Sequence, residues 1–320
     1  MNLPKISIVV PTYGHSLRLV ELTQRVADMC RASAYTYEIV FVDDGGPGER
    51  WSTLKSLCEG DPSHITALQL GRNYGQHNAL LCGFARTRGE VVITLDDDLQ
   101  QPPEEIPKLV RAIEGGAEVV FGIPKDKKHP GLRNLGSAFV QVTFQRTFST
   151  AARPTAFRGI ARRVVDEVVN FDKSHIYLDG LFAWVTNSIV EVEVEHLPRE
   201  RGESGYSVRK LLALTLNFVT NSSLKPLQYS SVMGLVLSLI ALSLAAYLVV
   251  RYFVVGIPVA GYASLFVLIS LLGGIQLLSL GIIGEYIGRI LMNSNGKPAF
   301  SVRQEILCSG DASGRENLPN

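Results

Sequence analysis

Short apolar runs alternate with longer amphipathic stretches along the N-terminal two thirds of the chain. The short runs are rich in β-branched residues and predict strands at Ile6–Val10, Glu38–Val42, Ile65–Leu70, Val91–Leu95 and Glu118–Phe121. The stretches between them predict helices at Leu17–Arg31, Trp51–Cys58, Gln76–Arg86 and Pro103–Ile113. Because strands that alternate with helices are typical of α/β proteins, we expect residues 1–205 to form an α/β domain around a mainly parallel sheet.

Two long stretches further along the chain carry no charged residue. Val232–Val250 and Ala263–Gly284 are each long enough, at about 1.5 Å per residue, to cross a hydrocarbon core of about 30 Å. Within residues 227–290 we therefore predict two transmembrane helices, at about 230–252 and 263–286. The alternative is two helices buried in a protein core.

Basic residues lie mainly at the outer ends of the predicted hairpin. Arg209, Lys210 and Lys225 precede it and Arg289 and Lys297 follow it, whereas the connecting loop contains only Arg251. The positive-inside rule then places both termini and the N-terminal domain in the cytoplasm. We expect a multi-pass protein of the cytoplasmic (inner) membrane.

Two further segments flank the hairpin. Residues 206–226 mix apolar and basic positions, which predicts an amphipathic helix that lies either at the membrane surface or under the N-terminal domain. In residues 291–320, Ala299–Ile306 alternates and predicts a terminal strand, docked on its own or on a neighbouring domain. The polar tail after Leu307 is expected to be disordered.

Composition and motifs exclude several classes of function. The formal net charge of +1 and the lack of a dense Lys/Arg run argue against nucleic acid as a partner. The four cysteines have no CxxC spacing, which favours reduced cysteines that pack in a core. No GxxxxGK[ST], GxGxxG or GxSxG motif occurs, which argues against a P-loop, a dinucleotide fold and a serine hydrolase. The histidines show no metal-ligand spacing and are expected to be surface or structural residues.

Polar clusters follow four of the predicted strands. They are Pro11–Tyr13, Asp43–Gly45, Arg72–Gly75 and Asp96–Asp98. In open α/β sheets ligands bind beyond the carboxyl ends of the strands, so we expect these clusters to share one site. Three consecutive carboxylates repel one another, and a divalent cation that bridges to a diphosphate relieves this repulsion. A solvated acidic loop is the other interpretation.

Seven segments together resemble the family 2 glycosyltransferases that charge polyprenyl phosphate. They are residues 6–13, 41–45, 71–76, 96–104, 157–165, 202–207 and 284–289. The match is to the branch with the GtrB-type glucosyltransferases, the undecaprenyl-phosphate aminoarabinose transferases and dolichol-phosphate mannose synthase. The resemblance implies a GT-A fold and inverting transfer of one sugar from a nucleotide diphosphate, with UDP favoured, to polyprenyl (undecaprenyl) phosphate. It also implies a homotetramer and a lipid-linked product for a cell-envelope glycan such as lipopolysaccharide.

The resemblance also implies roles for individual residues. Asp98 and Gln100 would hold Mg²⁺ or Mn²⁺, and Asp96, Asp98, Arg133 and Arg158 would be the catalytic residues. The nucleotide sugar would contact Pro11, Tyr13, Asp43, Asp44, Arg72, Asp96 and Asp97, with Asp43 at the base edge. The lipid phosphate would contact Arg133, Arg158, Arg199, Arg201 and Ser204.

The chain departs from the family pattern at several positions. Relatives often carry acids where this chain has Ala156 and Ala161, a lysine at Gly205, and a basic residue at Asp179. Asp179 either contacts the sugar or lies on a helix surface. Because the second pKa of a phosphate monoester is about 6, the acceptor is mostly a dianion at neutral pH and has little need of a base. The alternatives are a membrane-anchored binding or scaffold protein without turnover, and a transporter of the lipid product.

Overall fold

The computed structural model describes residues 3–13, 18–46, 50–125, 152–171, 177–197, 261–294 and 298–307, and scattered positions between 232 and 254. The chain divides into two compact units. One unit combines Met1–Gly205 with Gly296–Asn320, and the other is Tyr206–Asn295.

Within the described ranges, the first unit is built on a mixed sheet of eight strands. They are β1 (Ile6–Thr12), β2 (Tyr37–Asp43), β3 (Ile65–Leu70), β4 (Val91–Thr94), β5 (Val119–Pro124), β6 (Arg158–Ala161), β7 (Ile189–Val194) and β8 (Val302–Ile306). Their order in the sheet is β7-β5-β6-β4-β1-β2-β3-β8. Strand β1 pairs in parallel with β2 and β4, β2 with β3, and β5 with β7. Strand β6 runs antiparallel to β4 and β5, and β8 runs antiparallel to β3. The expected mainly parallel α/β sheet is confirmed.

Helices cover both faces of this sheet. They are α1 (Leu19–Ala32), α2 (Arg50–Gly60), α3 (Gln76–Phe84), α4 (Ile106–Glu114), α5 (Arg162–Val169) and α6 (Leu178–Val185), with a 3₁₀ turn at Pro103–Glu105 before α4. Alternate residues of each strand point to opposite faces. Ile8 and Phe41 therefore join the core under α1, α2 and α4, whereas Val9 and Val40 join the core under α3, α5 and α6.

The predicted elements recur with small changes in their bounds. Strands β1 and β2 continue to Thr12 and Asp43, and α3 ends at Phe84 rather than Arg86. The predicted terminal strand is present as β8, and it pairs with β3 of its own chain. Arg86 adds an ion pair to β8, with its Nη2 2.7 Å from Oε2 of Glu305. Cys30, Cys58 and Cys82 are buried, and burial raises the pKa of the Cys30 thiol to about 12.

The second unit contains the helix α7 (Tyr262–Ser294), which covers the second predicted transmembrane segment. In the part of the chain that the structure describes, no helix has both the length and the apolar character that a membrane crossing needs. The first predicted transmembrane helix is described only at scattered positions. The predicted amphipathic helix at residues 206–226 and the tail after Leu307 lie outside the described residues.

Candidate functional site

The polar strand ends of β1, β2 and β3 meet at one edge of the sheet. Thr12 lies opposite Asp43 in the β1–β2 pair, and Asp43 lies opposite Gln69 in the β2–β3 pair. Pro11 lies within β1 beside Val42, and Tyr13 follows the strand with 58% of its surface exposed. The expected convergence of the strand-end clusters is therefore present for these strands.

Asp43 is buried and both of its oxygens accept hydrogen bonds from the chain. Oδ1 accepts from Nη2 of Arg50 at 2.9 Å, and Oδ2 accepts from Nε2 of Gln69 at 3.2 Å. The guanidinium of Arg50 also lies 6.0 Å from the centroid of the Tyr13 ring. The ion pair with Arg50 offsets the cost of burying the Asp43 carboxylate. The pair holds the Asp43 carboxylate in one orientation beside Tyr13.

Asp44 connects this strand end to the next loop. Its carboxylate accepts the backbone N–H groups of Tyr74 at 2.7 Å and Gly75 at 2.8 Å. Burial raises the pKa of Asp44, and these two hydrogen bonds oppose the rise because they favour the ionised form. The structure thus gives Asp44 a supporting role: it holds the loop that carries Arg72, whose guanidinium lies 4.8 Å from the Tyr74 ring centroid.

Gly45 is the point where these two loops touch. Its φ is +64°, and a Cβ atom there would lie 2.5 Å from the carbonyl carbon of Arg72. Both the backbone conformation and the close approach require glycine.

Replacing Gly45 with alanine is expected to destabilise the protein by at least about 2 kcal/mol, because the strained φ and the contact with Arg72 add together. The loop around Arg72 must move, so the affinity for a nucleotide diphosphate should fall as well. Thermal unfolding and nucleotide titration of the full-length protein in detergent measure the two effects. Gly60→Ala is the matched control, since nothing lies within 4 Å of its added Cβ. Equal stability of the two variants would contradict this account.

The three aspartates follow β4. Asp96 is partly buried, and its Oδ1 accepts a hydrogen bond from Nε2 of Gln76 at 2.8 Å. A second hydrogen bond comes from the side chain of Gln101. Burial raises the pKa of Asp96, the nearby charge of Asp98 raises it further, and Arg158 opposes the shift. Asp97 is also partly buried.

Asp98 and Gln100 are brought together by a left-handed residue between them. Leu99 has a φ of +58°, which is uncommon for a side chain with a Cβ, and its own side chain is buried in the core. The Asp98 carboxylate accepts the backbone N–H of Gln100 at 3.1 Å and its Nε2 at 2.5 Å. Strained backbone of this kind is found at binding sites, where it aims particular side chains.

The chemistry of this pair fits a divalent cation that is shared with a phosphate ligand. A carboxylate and an amide oxygen are suitable ligands for hard cations such as Mg²⁺ or Mn²⁺. Among the described residues no group of three or more His, Cys, Asp or Glu side chains is placed to hold a metal by itself. In a site that the ion shares with a diphosphate, phosphate oxygens and water would complete the coordination.

Arg158 and Asp179 form a buried ion pair beside the aspartates. Arg158 begins β6 opposite Thr94, and its Nε donates to Oδ1 of Asp179 at 2.8 Å. Its Nη1 donates to the carbonyl of Ala156 at 3.3 Å and to Oγ1 of Thr94 at 3.4 Å. Asp179 is 5% exposed, so the interpretation of Asp179 as a helix-surface acid is wrong. Because Arg158 also lowers the pKa of Asp96, its charge acts at the predicted donor site.

The other predicted acceptor ligands were Arg133, Arg199, Arg201 and Ser204, and they lie outside the described residues, as does Gly205. The structure therefore brings together Asp96, Asp98, Gln100 and Arg158 at the end of β4.

His77 belongs to the same region and was missed as a site residue. It is the second residue of α3, directly after Gln76, and its ring meets the Tyr177 ring edge-on with 5.3 Å between centroids. Asp179 and Arg158 both act on its pKa, which burial lowers. The available signal in the sequence was its position at the start of a helix that follows a polar strand-end cluster.

Comparison with known proteins identifies the family. Residues 7–169, just over half of the chain, match the family described as Glycosyl transferase family 2. The chain is 33% identical over 317 residues to the undecaprenyl-phosphate 4-deoxy-4-formamido-L-arabinose transferase of Enterobacter sp. (strain 638). This alignment covers 98% of the chain and 97% of the relative.

Two solved structures share the fold at low sequence identity. One is glucosyl-3-phosphoglycerate synthase from Mycobacterium tuberculosis in complex with Mn²⁺, UDP and phosphoglyceric acid, with a TM-score of 0.50, 15% identity, and 68% and 76% of the two chains covered. The other is a mannosyltransferase from Pyrobaculum calidifontis in complex with GDP-Man and Mn²⁺, with a TM-score of 0.50, 15% identity, and 90% and 88% covered. These similarities support the GT-A type of α/β fold. With the family match and the full-length relative, they show that the chain is a glycosyltransferase that belongs to glycosyl transferase family 2.

Proposed function

We propose that the protein transfers a single sugar from a UDP-sugar to polyprenyl phosphate, with inversion, at the cytoplasmic face of the membrane. The observation that carries the proposal is the convergence of Asp98 and Gln100 beside Asp96 at the end of β4. It occurs in a chain that aligns over 98% of its length with an undecaprenyl-phosphate sugar transferase. The two uncharged stretches at residues 232–250 and 263–284 supply the proposed membrane attachment.

The donor nucleotide would lie along the strand ends. Tyr13 offers an exposed ring and Asp43 an oriented carboxylate for the base, while Arg72 places a positive charge on the neighbouring loop held by Asp44. Asp98 and Gln100 would hold Mg²⁺ or Mn²⁺ against the diphosphate. When bound, such an ion offsets the charge that develops on the leaving diphosphate.

The acceptor phosphate would attack the sugar carbon that carries the diphosphate. A monoester dianion has no proton to lose, so the protein has to hold the two negatively charged substrates together and in line. Arg158 is suited to this work because its guanidinium is held rigidly by Asp179, Ala156 and Thr94. A fixed cation stabilises developing charge without reorganising during the reaction. Arg133, Arg199, Arg201 and Ser204 are proposed as the remaining phosphate ligands.

A donor screen tests this function directly. Full-length protein in detergent is mixed with undecaprenyl phosphate, Mn²⁺ or Mg²⁺, and a panel of UDP-, GDP- and dTDP-sugars, and the lipid product is identified by mass spectrometry. We expect one UDP-sugar to yield a lipid carrying one sugar, and EDTA to abolish the reaction. Binding of a UDP-sugar without any lipid-linked product would instead favour the scaffold alternative. Equal activity with and without EDTA would contradict the metal site.

A further inference from the structure

The ring of His77 contains a buried nitrogen whose hydrogen-bonding capacity is unused. Its Nδ1 is shielded from solvent and has no hydrogen-bond partner among the described residues. Buried polar atoms are normally paired with protein groups, ordered water or a ligand. An unpaired atom of this kind beside a binding site indicates a partner that arrives with the ligand.

Gln101 gives a second, independent indication of the same kind. Its side chain donates to Asp96, yet its Oε1 is buried and has no hydrogen-bond partner within the described ranges. Gln76, the neighbour of His77 along α3, bonds Asp96 as well. Gln101 is thus bonded to Asp96 itself, and His77 lies near Arg158, whose charge acts on both His77 and Asp96.

The charges around these atoms restrict the chemistry of the missing partner. Asp96 and Asp179 lie in this region with Arg158, and Arg158 is already bonded to Asp179. Burial lowers the pKa of His77, so its ring is neutral at pH 7 and has one N–H donor and one acceptor nitrogen. The Oε1 of Gln101 is an acceptor only. A hydroxyl group can donate to Nδ1 or accept from it, whichever tautomer the neutral ring adopts, and it can also donate to Oε1 of Gln101. A phosphate brings acceptor oxygens only, to a region that already contains the carboxylates of Asp96 and Asp179.

We propose that His77 and Gln101 form the sugar-recognising part of the donor site and hydrogen-bond hydroxyl or amino groups of the transferred sugar. The inference rests on the proposed function, because it assumes that the ligand at Asp96 is a nucleotide sugar. It makes His77 a specificity-determining residue: a sugar that presents a hydroxyl or amino group to the imidazole is preferred over an epimer or deoxy sugar that does not.

His77→Phe tests the assignment, because phenylalanine keeps an aromatic ring against Tyr177 and removes both ring nitrogens. Full-length wild-type and variant proteins in detergent with Mn²⁺ are titrated with UDP and with the UDP-sugar that the wild type binds most tightly among UDP-glucose, UDP-galactose, UDP-N-acetylglucosamine and UDP-4-amino-4-deoxy-L-arabinose. We expect the Kd for UDP to stay within about twofold and the Kd for the UDP-sugar to rise about five- to tenfold, the effect of one lost hydrogen bond. The order of affinities within the panel should also change.

His64→Phe is the matched control. The His64 ring stacks on Tyr37 with 4.5 Å between centroids and contacts Asp61 at the start of β3, the opposite end from the site. This variant should leave both dissociation constants unchanged. His77→Gln, which retains polar atoms, should recover part of the affinity and serves as the second variant if His77→Phe fails to fold.

The possible results separate this inference from the proposed function. Loss of UDP and UDP-sugar affinity by the same factor in the His77 variants, or no loss of either, overturns the sugar-recognising role even if the wild type transfers sugar to lipid. If the wild type yields no lipid product, the proposed function fails. A selective loss of UDP-sugar affinity would even then support the role of His77.

Discussion

Asp98→Asn is expected to lower sugar transfer to the lipid about a thousandfold while leaving the fold intact. The substitution removes the negative charge from the only acidic member of the proposed metal pair, Asp98 and Gln100. A bound ion contributes several kcal/mol to stabilisation of the transition-state charge, and each 1.36 kcal/mol corresponds to about tenfold in rate. Asparagine is nearly isosteric and its Oδ1 can still accept the N–H of Gln100, so the turn at Leu99 should persist.

The measurement is lipid-linked sugar formed per minute over a range of Mn²⁺ concentrations, with thermal unfolding as the check on folding. Weakened metal binding should appear as a higher Mn²⁺ concentration at half-maximal rate. Asp28→Asn is the matched control: Asp28 is an exposed acid on α1 that pairs with Arg31, and its removal should leave the rate unchanged. Transfer within about twofold of wild type in Asp98→Asn would refute the metal assignment.

Asp179→Leu is expected to destabilise the protein by about 3–5 kcal/mol. It leaves the guanidinium of Arg158 buried without its anionic partner, and an uncompensated buried charge costs this much. Unfolding of the full-length protein in detergent, followed by circular dichroism, gives the change in free energy. Activity should fall too, because Arg158 would lose the contact that orients it toward the donor site.

A double variant distinguishes the charge from the packing. Arg158→Met with Asp179→Leu removes both charges and should recover most of the stability that Asp179→Leu alone loses, because the two effects are coupled. It should not recover transfer, since the proposed phosphate ligand is gone. As the control, Asp166→Leu breaks the exposed pair with Arg162 on α5 and should cost less than about 1 kcal/mol. If Asp179→Leu also lowers the stability by less than about 1 kcal/mol, the buried Arg158–Asp179 pair does not stabilise the fold as proposed.

The first five strands and the helices between them could be predicted, because their apolar residues recur at the spacing of a strand or a helix and turn residues flank each segment. Strand β6 and helix α6 could not. β6 has only four residues, begins with an arginine, and exists because β4 and β5 pair with it on either side. α6 contains a buried aspartate in an otherwise apolar run. Local patterns do not reveal pairing between segments that are distant in sequence.

The site shows the same division. The acids and amides that follow β2 and β4 could be predicted to share one site, because the carboxyl ends of parallel strands lie at the same edge of a sheet. Their separate roles were not predictable. Asp43 and Asp44 are neighbours in sequence, yet one is paired with Arg50 and the other holds backbone N–H groups of the next loop. The proposed roles of Arg133, Arg199, Arg201 and Ser204, and the tetramer, stay predictions.

By itself the sequence determined the α/β class, the strand ends that carry polar groups, and the resemblance to a glycosyltransferase family, because hydrophobic period and motif are local properties. Only the tertiary structure decided which polar groups bond one another. It paired Arg158 with Asp179, turned Leu99 so that Asp98 and Gln100 converge, and placed His77 beside Tyr177. These contacts depend on how strands and helices far apart in sequence come together in space, and hydrogen bonds form only between groups that this arrangement brings within about 3.5 Å.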